Sequence, residues 1–315
     1  MNKPRRRKDY VPVTVPFEVS QTGKPLTIRD WAHPAVWTDR MLNALFVGGK
    51  GGKWHALIDK VYDKRNLLAS AHKVLKKKGA AGVDHQQVED YSATLPQEVD
   101  QLHEQLRGNQ YQPKAVRRDW IPKPGSRDQR PLGIPTVRDR VVQMSLVHVI
   151  EPIFDQTFHE QSYGFRHGRS CHQALTRVDE LLYNGYVYVV DADLKSYFDT
   201  IPKDRLMGLV GMQVSDSRIL ALIKSYLDQQ IMDELKSWTP EGGVPQGAVL
   251  SPLLSNVYLN PLDHHMAQQG YEMVRYADDF VVLCQREPQA TEAMRRLREI
   301  FARLKLTLHP EKTKL

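Results

Sequence analysis

The sequence predicts an α+β fold in which helices pack on one face of an antiparallel sheet. Three observations carry this. A β-branched and aromatic run from Tyr186 to Val190 leads into Asp191-Ala192-Asp193. Met273 to Leu283 reads as a hairpin with two aspartates at its tip. Residues 289–304 place Ala290, Ala293, Met294, Leu297, Ile300, Phe301 and Leu304 at helical spacing. The order strand, helix, hairpin, helix, strand, closed by Leu306 and Leu308, gives two layers around one core.

The rest of the chain follows from its punctuation. Residues 1–55 hold Pro4, Pro12, Pro16, Pro25 and Pro34 and the Gly48–Gly52 stretch, and read as a basic, Pro/Gly-rich extension in which Trp31, Trp37, Met41, Leu42 and Phe46 are available to pack. Helical periodicity dominates 56–110, for example Leu57 and Val61, then Val99, Leu102 and Leu106. Residues 111–140 are broken by Pro113, Pro122, Pro124, Pro131 and Pro135 and read as extended strands and turns. Residues 140–155 form an apolar helix. Gly242–Gly247 is a loop, after which Ser251-Pro252 opens a helix as N-cap and first-turn proline.

Composition narrows the function. The 315 residues carry 44 Lys+Arg against 37 Asp+Glu, a net charge of +7, with 41% hydrophobic and 26% charged residues. That is a core-forming protein and not a disordered one. Two distant cysteines, Cys171 and Cys284, exclude a disulfide framework and a cysteine-rich zinc module. No apolar run approaches the roughly 18 residues of a membrane helix, so the expectation is a soluble, cytoplasmic protein with no membrane partner. Between Lys114 and Arg140 eight basic residues face three acidic ones, a local net of +5, and a second run joins Lys73 to Lys76, Lys77 and Lys78. Basic clusters among turn residues suit a phosphate backbone.

Asp278 and Asp279 lie between Arg275-Tyr276-Ala277 and Phe280-Val281-Val282-Leu283. Adjacent carboxylates in apolar flanks repel one another and resist ionisation unless a cation compensates. Asp193, at the end of an upstream strand, offers a third carboxylate. Oxygen ligands so clustered suit Mg²⁺, and two such ions activate a hydroxyl and stabilise a leaving phosphate.

Tyr276-Ala277-Asp278-Asp279 resembles the Tyr-x-Asp-Asp box of reverse transcriptases. The blocks Lys78–Asp84, Ile121–Pro124, Arg130–Pro135, Tyr163–Arg166, Asp193–Lys195 with Phe198-Asp199, Gly243–Gly247 and His309–Thr313 stand in the order of the bacterial group II intron reverse transcriptases, the intron-encoded maturases, over roughly 55–315. The resemblance implies a right-hand polymerase with an extension (1–55), fingers (56–178) and palm (179–315). It implies RNA-directed DNA synthesis with two Mg²⁺ ions, or Mn²⁺ as substitute, held by Asp193, Asp278, Asp279 and the carbonyl of Leu194. Lys123 and Arg130 would grip a triphosphate, Phe198 would exclude a 2′-hydroxyl, and Gln246 would lie beside the incoming nucleotide. Lys76, Lys77, Lys78 and Arg166 are the candidate nucleic-acid contacts. The implied partners are an RNA template, a primer strand and dNTPs, with intron RNA a further candidate; the oligomeric state stays open. Because relatives continue past the block ending at Thr313, thumb and downstream domains are expected to be absent. A truncated RNA-binding remnant that no longer polymerises is therefore the second reading. A cyclase is disfavoured by Lys123 and Arg130, and an RNA-templated RNA polymerase by the Tyr-Ala-Asp-Asp box and Phe198.

Overall fold

The computed structural model describes residues 27–47, 52–122, 129–234 and 236–315. By contacts the chain divides into two units, each discontinuous in sequence. One comprises Ile28–Phe158 and Lys195–Pro261, here the helical unit; the other contains His159–Leu194 and Leu262–Leu315, here the hairpin unit. This division follows contacts and differs from the linear one at 159–178 and 195–261.

The helical unit begins with α1 (Ile28–Trp31), α2 (Asp39–Val47), α3 (Ile58–Val61), α4 (Lys64–Lys76), α5 (Val88–Ala93) and α6 (Leu95–Arg107). Strands β1 (Val116–Pro122) and β2 (Gln129–Ile134) follow, and then α7 (Val137–Asp155). α7 is the core of this unit. Its residues are buried almost all the way round, from Val137 through Val141, Leu146 and Ile150 to Phe154, as a helix enclosed by other elements must be. Thr136 caps it, its Oγ1 accepting from the Asp139 amide at 3.0 Å. Ser145 on α7 is satisfied in kind: Asn66 Nδ2 donates to its Oγ at 2.8 Å, and that Oγ donates to the Val61 carbonyl at 2.6 Å. Part of the expected N-terminal extension joins this core. Trp37 and Leu42 are buried, and Trp37 Nε1 donates to the His148 carbonyl at 3.0 Å. Phe46 stays largely exposed.

The chain then enters the hairpin unit with α8 (Cys171–Tyr183) and β3 (Tyr188–Ala192). It returns to the helical unit with α9 (Tyr197–Thr200), α10 (Lys203–Gln213), α11 (Ser217–Leu227), β4 (Ile231–Asp233) and β5 (Lys236–Trp238). β1 and β2 pair antiparallel and β1 and β4 parallel, giving the order β2-β1-β4-β5. α12 (Ser251–Gln268) runs from one unit's residues into the other's, and β6 (Glu272–Tyr276), β7 (Asp279–Cys284) and α13 (Glu287–Leu304) complete the hairpin unit. α13 begins two residues before the periodic stretch read from the sequence.

The hairpin unit is built on the antiparallel order β3-β7-β6. Register places Val190, Val282 and Met273 on one face with Ala192, Phe280 and Arg275. α13 covers that face, where Phe301 meets Phe280 at 5.8 Å between ring centroids, and Asp263 of α12 reaches Arg275 there. This is the expected helical layer. α8 adds a second layer: Ala174 and Leu181 pack with Val274, Leu283, Val189 and Val281 on the opposite face. The sheet continues at both edges through isolated pairings. Ser162 lies beside Arg275, while Lys314 and Leu308 lie beside Asp191 and Leu194. The closing strand expected at Leu306 and Leu308 is thus a pair of bridges. Among the described residues no helix is long and apolar enough to cross a membrane.

α11 is held by Asp216. Its carboxylate accepts from the amides of Arg218 and Ile219 at the start of α11 and from Leu57 and Ile58, at 2.6 to 3.2 Å. Burial alone pushes this carboxyl up, but the backbone N–H groups of Leu57, Ile58, Ile219 and Arg218 outweigh it and hold it below the ordinary value. The stability it contributes is therefore present above the ordinary carboxylate pKa and lost as pH falls through the depressed one. Asp216→Ala is expected to destabilise the protein by about 1–3 kcal/mol at pH 7, with the loss shrinking as pH falls towards 3; urea unfolding across that range measures it.

Candidate active site

The hairpin unit carries the acidic site. Tyr276 pairs with Asp279, which leaves Ala277-Asp278 as a two-residue turn between β6 and β7. Ala277 has φ +59°, in the left-handed region at the first central position of a turn where glycine is usual. Arg275 holds this turn. The guanidinium is fully buried, pairs with Asp263 through Nε–Oδ1 at 2.7 Å and Nη2–Oδ2 at 2.5 Å, and donates from Nη1 to the Ala277 carbonyl at 2.7 Å and from Nη2 to Ser162 Oγ at 2.7 Å. Gly164 lies flat against the turn from the neighbouring segment: a Cβ there would stand 2.2 Å from the Ala277 nitrogen. The sequence reading passed over Arg275. Its signal is a charged residue at an inward-facing strand position, which burial requires to be paired.

Asp193 follows β3, and its carbonyl accepts from the His309 amide at 2.8 Å. Its Oδ2 pairs with Lys312 Nζ at 2.8 Å, a contact the sequence reading did not assign to Lys312. The adjoining Leu194 is buried and lies opposite Leu308. Asp278 is half-buried. Burial pushes its carboxyl up, a backbone hydrogen bond offsets part of this, and Asp279 and Asp193 push it further. Asp279 is raised by burial, then by Asp193 and Asp191, with Lys312 opposing. Asp278 and Asp279 therefore both sense Asp193 within a single unit, and Lys312, whose own pKa is raised by its bond to Asp193, is a cation beside Asp193 and Asp279.

Among the described residues no group of three or more His, Cys, Asp and Glu side chains is arranged to hold a metal ion. The donor chemistry nevertheless fits a divalent cation. The candidate ligands are carboxylate oxygens, and at Asp278 burial and repulsion outweigh the opposing backbone hydrogen bond and the Arg275 charge.

Of the predicted nucleotide residues, Arg130, Phe198 and Gln246 lie in the helical unit. Lys123 falls outside the described residues. Arg130 is exposed on β2, opposite Ile121. Gln246 is tied to the same strand, its carbonyl accepting from the Gly133 amide at 2.6 Å. Phe198 is half-buried on α9, with its ring 5.2 Å from Tyr197, and its carbonyl accepts from the Val244 amide at 2.7 Å. Gly243 makes this closeness possible: at φ +90°, a Cβ would lie 2.8 Å from the Phe198 carbonyl oxygen. The Gly243–Gly247 loop thus brings Phe198, Gln246 and β2 together.

The other predicted contacts are dispersed. Lys76, Lys77 and Lys78 are exposed at the C-terminal end of α4, where cations also suit the helix dipole. Arg166 donates from Nη1 to the carbonyls of His159 and Ser162, both at 2.8 Å, and so pins its own loop.

An antiparallel sheet with a carboxylate-tipped hairpin, a helix pair behind it and a preceding fingers region defines the fingers and palm of a right-hand polymerase. Comparison with known proteins agrees. Residues 121–315 match the family model described as reverse transcriptase (RNA-dependent DNA polymerase). The chain belongs to the reverse transcriptase family, a family of nucleotidyltransferases. Protein YkfC of Escherichia coli K12 is 35% identical over 290 residues, covering 79% of this chain and 76% of YkfC. The group II intron-encoded protein LtrA of Lactococcus lactis is 32% identical over 219 residues, covering 70% of this chain and 36% of LtrA. The chain thus spans about a third of LtrA. The telomerase of Candida albicans, solved with a TWJ fragment of telomeric RNA, shares the fold with a TM-score of 0.50 at 13% identity, covering 66% of this chain and 43% of that one.

The raised carboxyls have a consequence for stability. A group whose folded pKa lies above its unfolded value stabilises the fold below the ordinary pKa and loses that contribution as pH rises through the raised one. Asp278→Asn, measured without divalent cation, is expected to raise the thermal midpoint at pH 7 and to lose that advantage as pH falls through the ordinary carboxylate range. An unchanged midpoint at pH 7 would contradict the electrostatic strain described for this turn.

Proposed function

We propose that the chain is an RNA-directed DNA polymerase that transfers a nucleotidyl group from a dNTP to a primer 3′-hydroxyl on an RNA template. The observation that carries this is that burial first, and then neighbouring carboxylates including Asp193, raise the carboxyls of Asp278 and Asp279 on one hairpin unit. Carboxylates held close at a cost in stability are poised for divalent cations. Mg²⁺ ions, or Mn²⁺ in their place, supply Lewis-acid activation of the hydroxyl and charge neutralisation at the phosphates when bound. Asp193, Asp278, Asp279 and the Leu194 carbonyl would hold them.

The chain's own part is positioning and electrostatics. Arg275 fixes the turn that presents Asp278. Lys312 neutralises Asp193, which it meets at 2.8 Å. Lys123 and Arg130 suit the triphosphate, since guanidinium engages phosphate oxygens in pairs. Phe198 suits a filter against the 2′-hydroxyl of ribonucleotides, and Gln246, presented by a loop bonded to β2, suits a place beside the incoming nucleotide. Lys76, Lys77, Lys78 and Arg166 are assigned to nucleic-acid contacts, and intron RNA is a further partner consistent with the relatives. In linear terms, 56–178 would serve as fingers and 179–315 as palm.

The intact set of Asp193, Asp278, Asp279 and Gln246 in the sequence argues against the non-polymerising RNA-binding remnant. Primer extension on an RNA template with dNTPs and Mg²⁺ decides between them. The wild type is expected to add nucleotides and Asp278→Ala none. RNA binding by both proteins with extension by neither would contradict the polymerase reading.

A further inference from the structure

A second site lies in the helical unit, built on β1 and β5. Arg118 and Trp120 are two residues apart on β1 and so project from the same face. The Arg118 guanidinium stands over two indoles, with Cζ 5.6 Å from the ring centroid of Trp120 and 5.6 Å from that of Trp238 on β5. Both indoles are open to solvent, at 47% and 42% exposure. Large aromatic faces left in water beside a cation are unusual unless something covers them.

The guanidinium is also short of partners. Among the described residues the Arg118 guanidinium makes no hydrogen bond or ion pair, and its Nε is closed to water without an acceptor. A sequestered N–H without an acceptor is costly, and a ligand oxygen would remove that cost. Next to it is a cavity of about 230 Å³ lined by Arg118, Trp238, Gly133, Asp199, Pro245 and Gln246. The register explains the space: Arg118 lies directly opposite Gly133 on β2, where no side chain fills the floor.

We infer that Arg118, Trp120 and Trp238 form a platform for one unpaired nucleotide of a single-stranded nucleic acid, its base stacked on indole and its phosphate on Arg118. The inference rests on the reading that the chain engages a template strand. Indole and guanidinium faces accept any base, which suits a strand that is copied without regard to sequence. One cation matches the single negative charge of a phosphodiester. A free triphosphate carries several, and the Asp199 carboxylate in the same cavity opposes it. Asp199 in turn offers an acceptor to a base N–H.

The test uses the full chain and a single-stranded RNA 12-mer carrying 2-aminopurine, whose fluorescence is quenched on stacking. Wild type is expected to quench it. Trp120→Ala with Trp238→Ala should abolish the quench and weaken binding roughly tenfold, while the corresponding pair of Phe substitutions should keep part of both. Arg118→Met should weaken binding and reduce the salt slope by about one. Excess dATP should leave the wild-type quench unchanged. The Asp278→Ala protein should quench as the wild type does, so loss of polymerisation and loss of the platform are read separately. Undiminished quenching by the double Ala variant, or by the Phe pair and Arg118→Met together should the Ala variant not fold, would overturn the assignment. Relief of the quench by dATP would assign the cavity to a free nucleotide and overturn the strand.

Discussion

The hairpin unit depends on one buried ion pair. Arg275 and Asp263 are both withdrawn from water, and a pair in that position contributes little net stability because desolvation offsets attraction. Its value is geometric. The guanidinium's remaining donors go to the Ala277 carbonyl and Ser162, so α12, the turn and the neighbouring edge segment are fixed by one side chain. A left-handed alanine and a pair of repelling aspartates would not hold their place in an unsupported hairpin. The strain at the carboxylates is borne by packing behind them.

A comparable logic operates in the helical unit, with backbone bonds in place of charge. The Gly243–Gly247 loop is attached at one end to Phe198 and at the other to Gly133. Asp216 gathers four amides from two distant segments. Each device fixes a loop by satisfying polar groups that would otherwise be stranded. Arg130, Phe198 and Gln246, the described residues proposed to meet a nucleotide, therefore sit on a strand, a short helix and a loop bonded to both.

Much of this was legible in the sequence. The hairpin over Met273 to Leu283 and the helix over 289–304 have strong periodicity and clear ends, and both stand where the pattern put them. The aspartate pair was legible because charge in an apolar run has few structural explanations. α10 and α11 were not singled out; α10 has apolar residues spread around it and contains Gly208 and Gly211, which blurs the helical stripe. β4 and β5 are three residues each, too short for alternation to register. The partners of Arg275, Asp216 and Lys312 lie 12, 159 and 119 residues away in the chain. Such pairings belong to the tertiary fold and leave no local trace. The units themselves interleave twice along the chain, which no linear composition shift marks.

The central claim is that the raised carboxyls of Asp278 and Asp279, beside Asp193, are a strain that a divalent cation would relieve. Mn²⁺ titration followed by electron paramagnetic resonance, without nucleotide or nucleic acid, tests this most directly. The account predicts saturable binding to the wild-type chain that is lost in Asp278→Asn and in Asp193→Asn while both variants remain folded. Equal binding by wild type and variants, or none by the wild type, would contradict it.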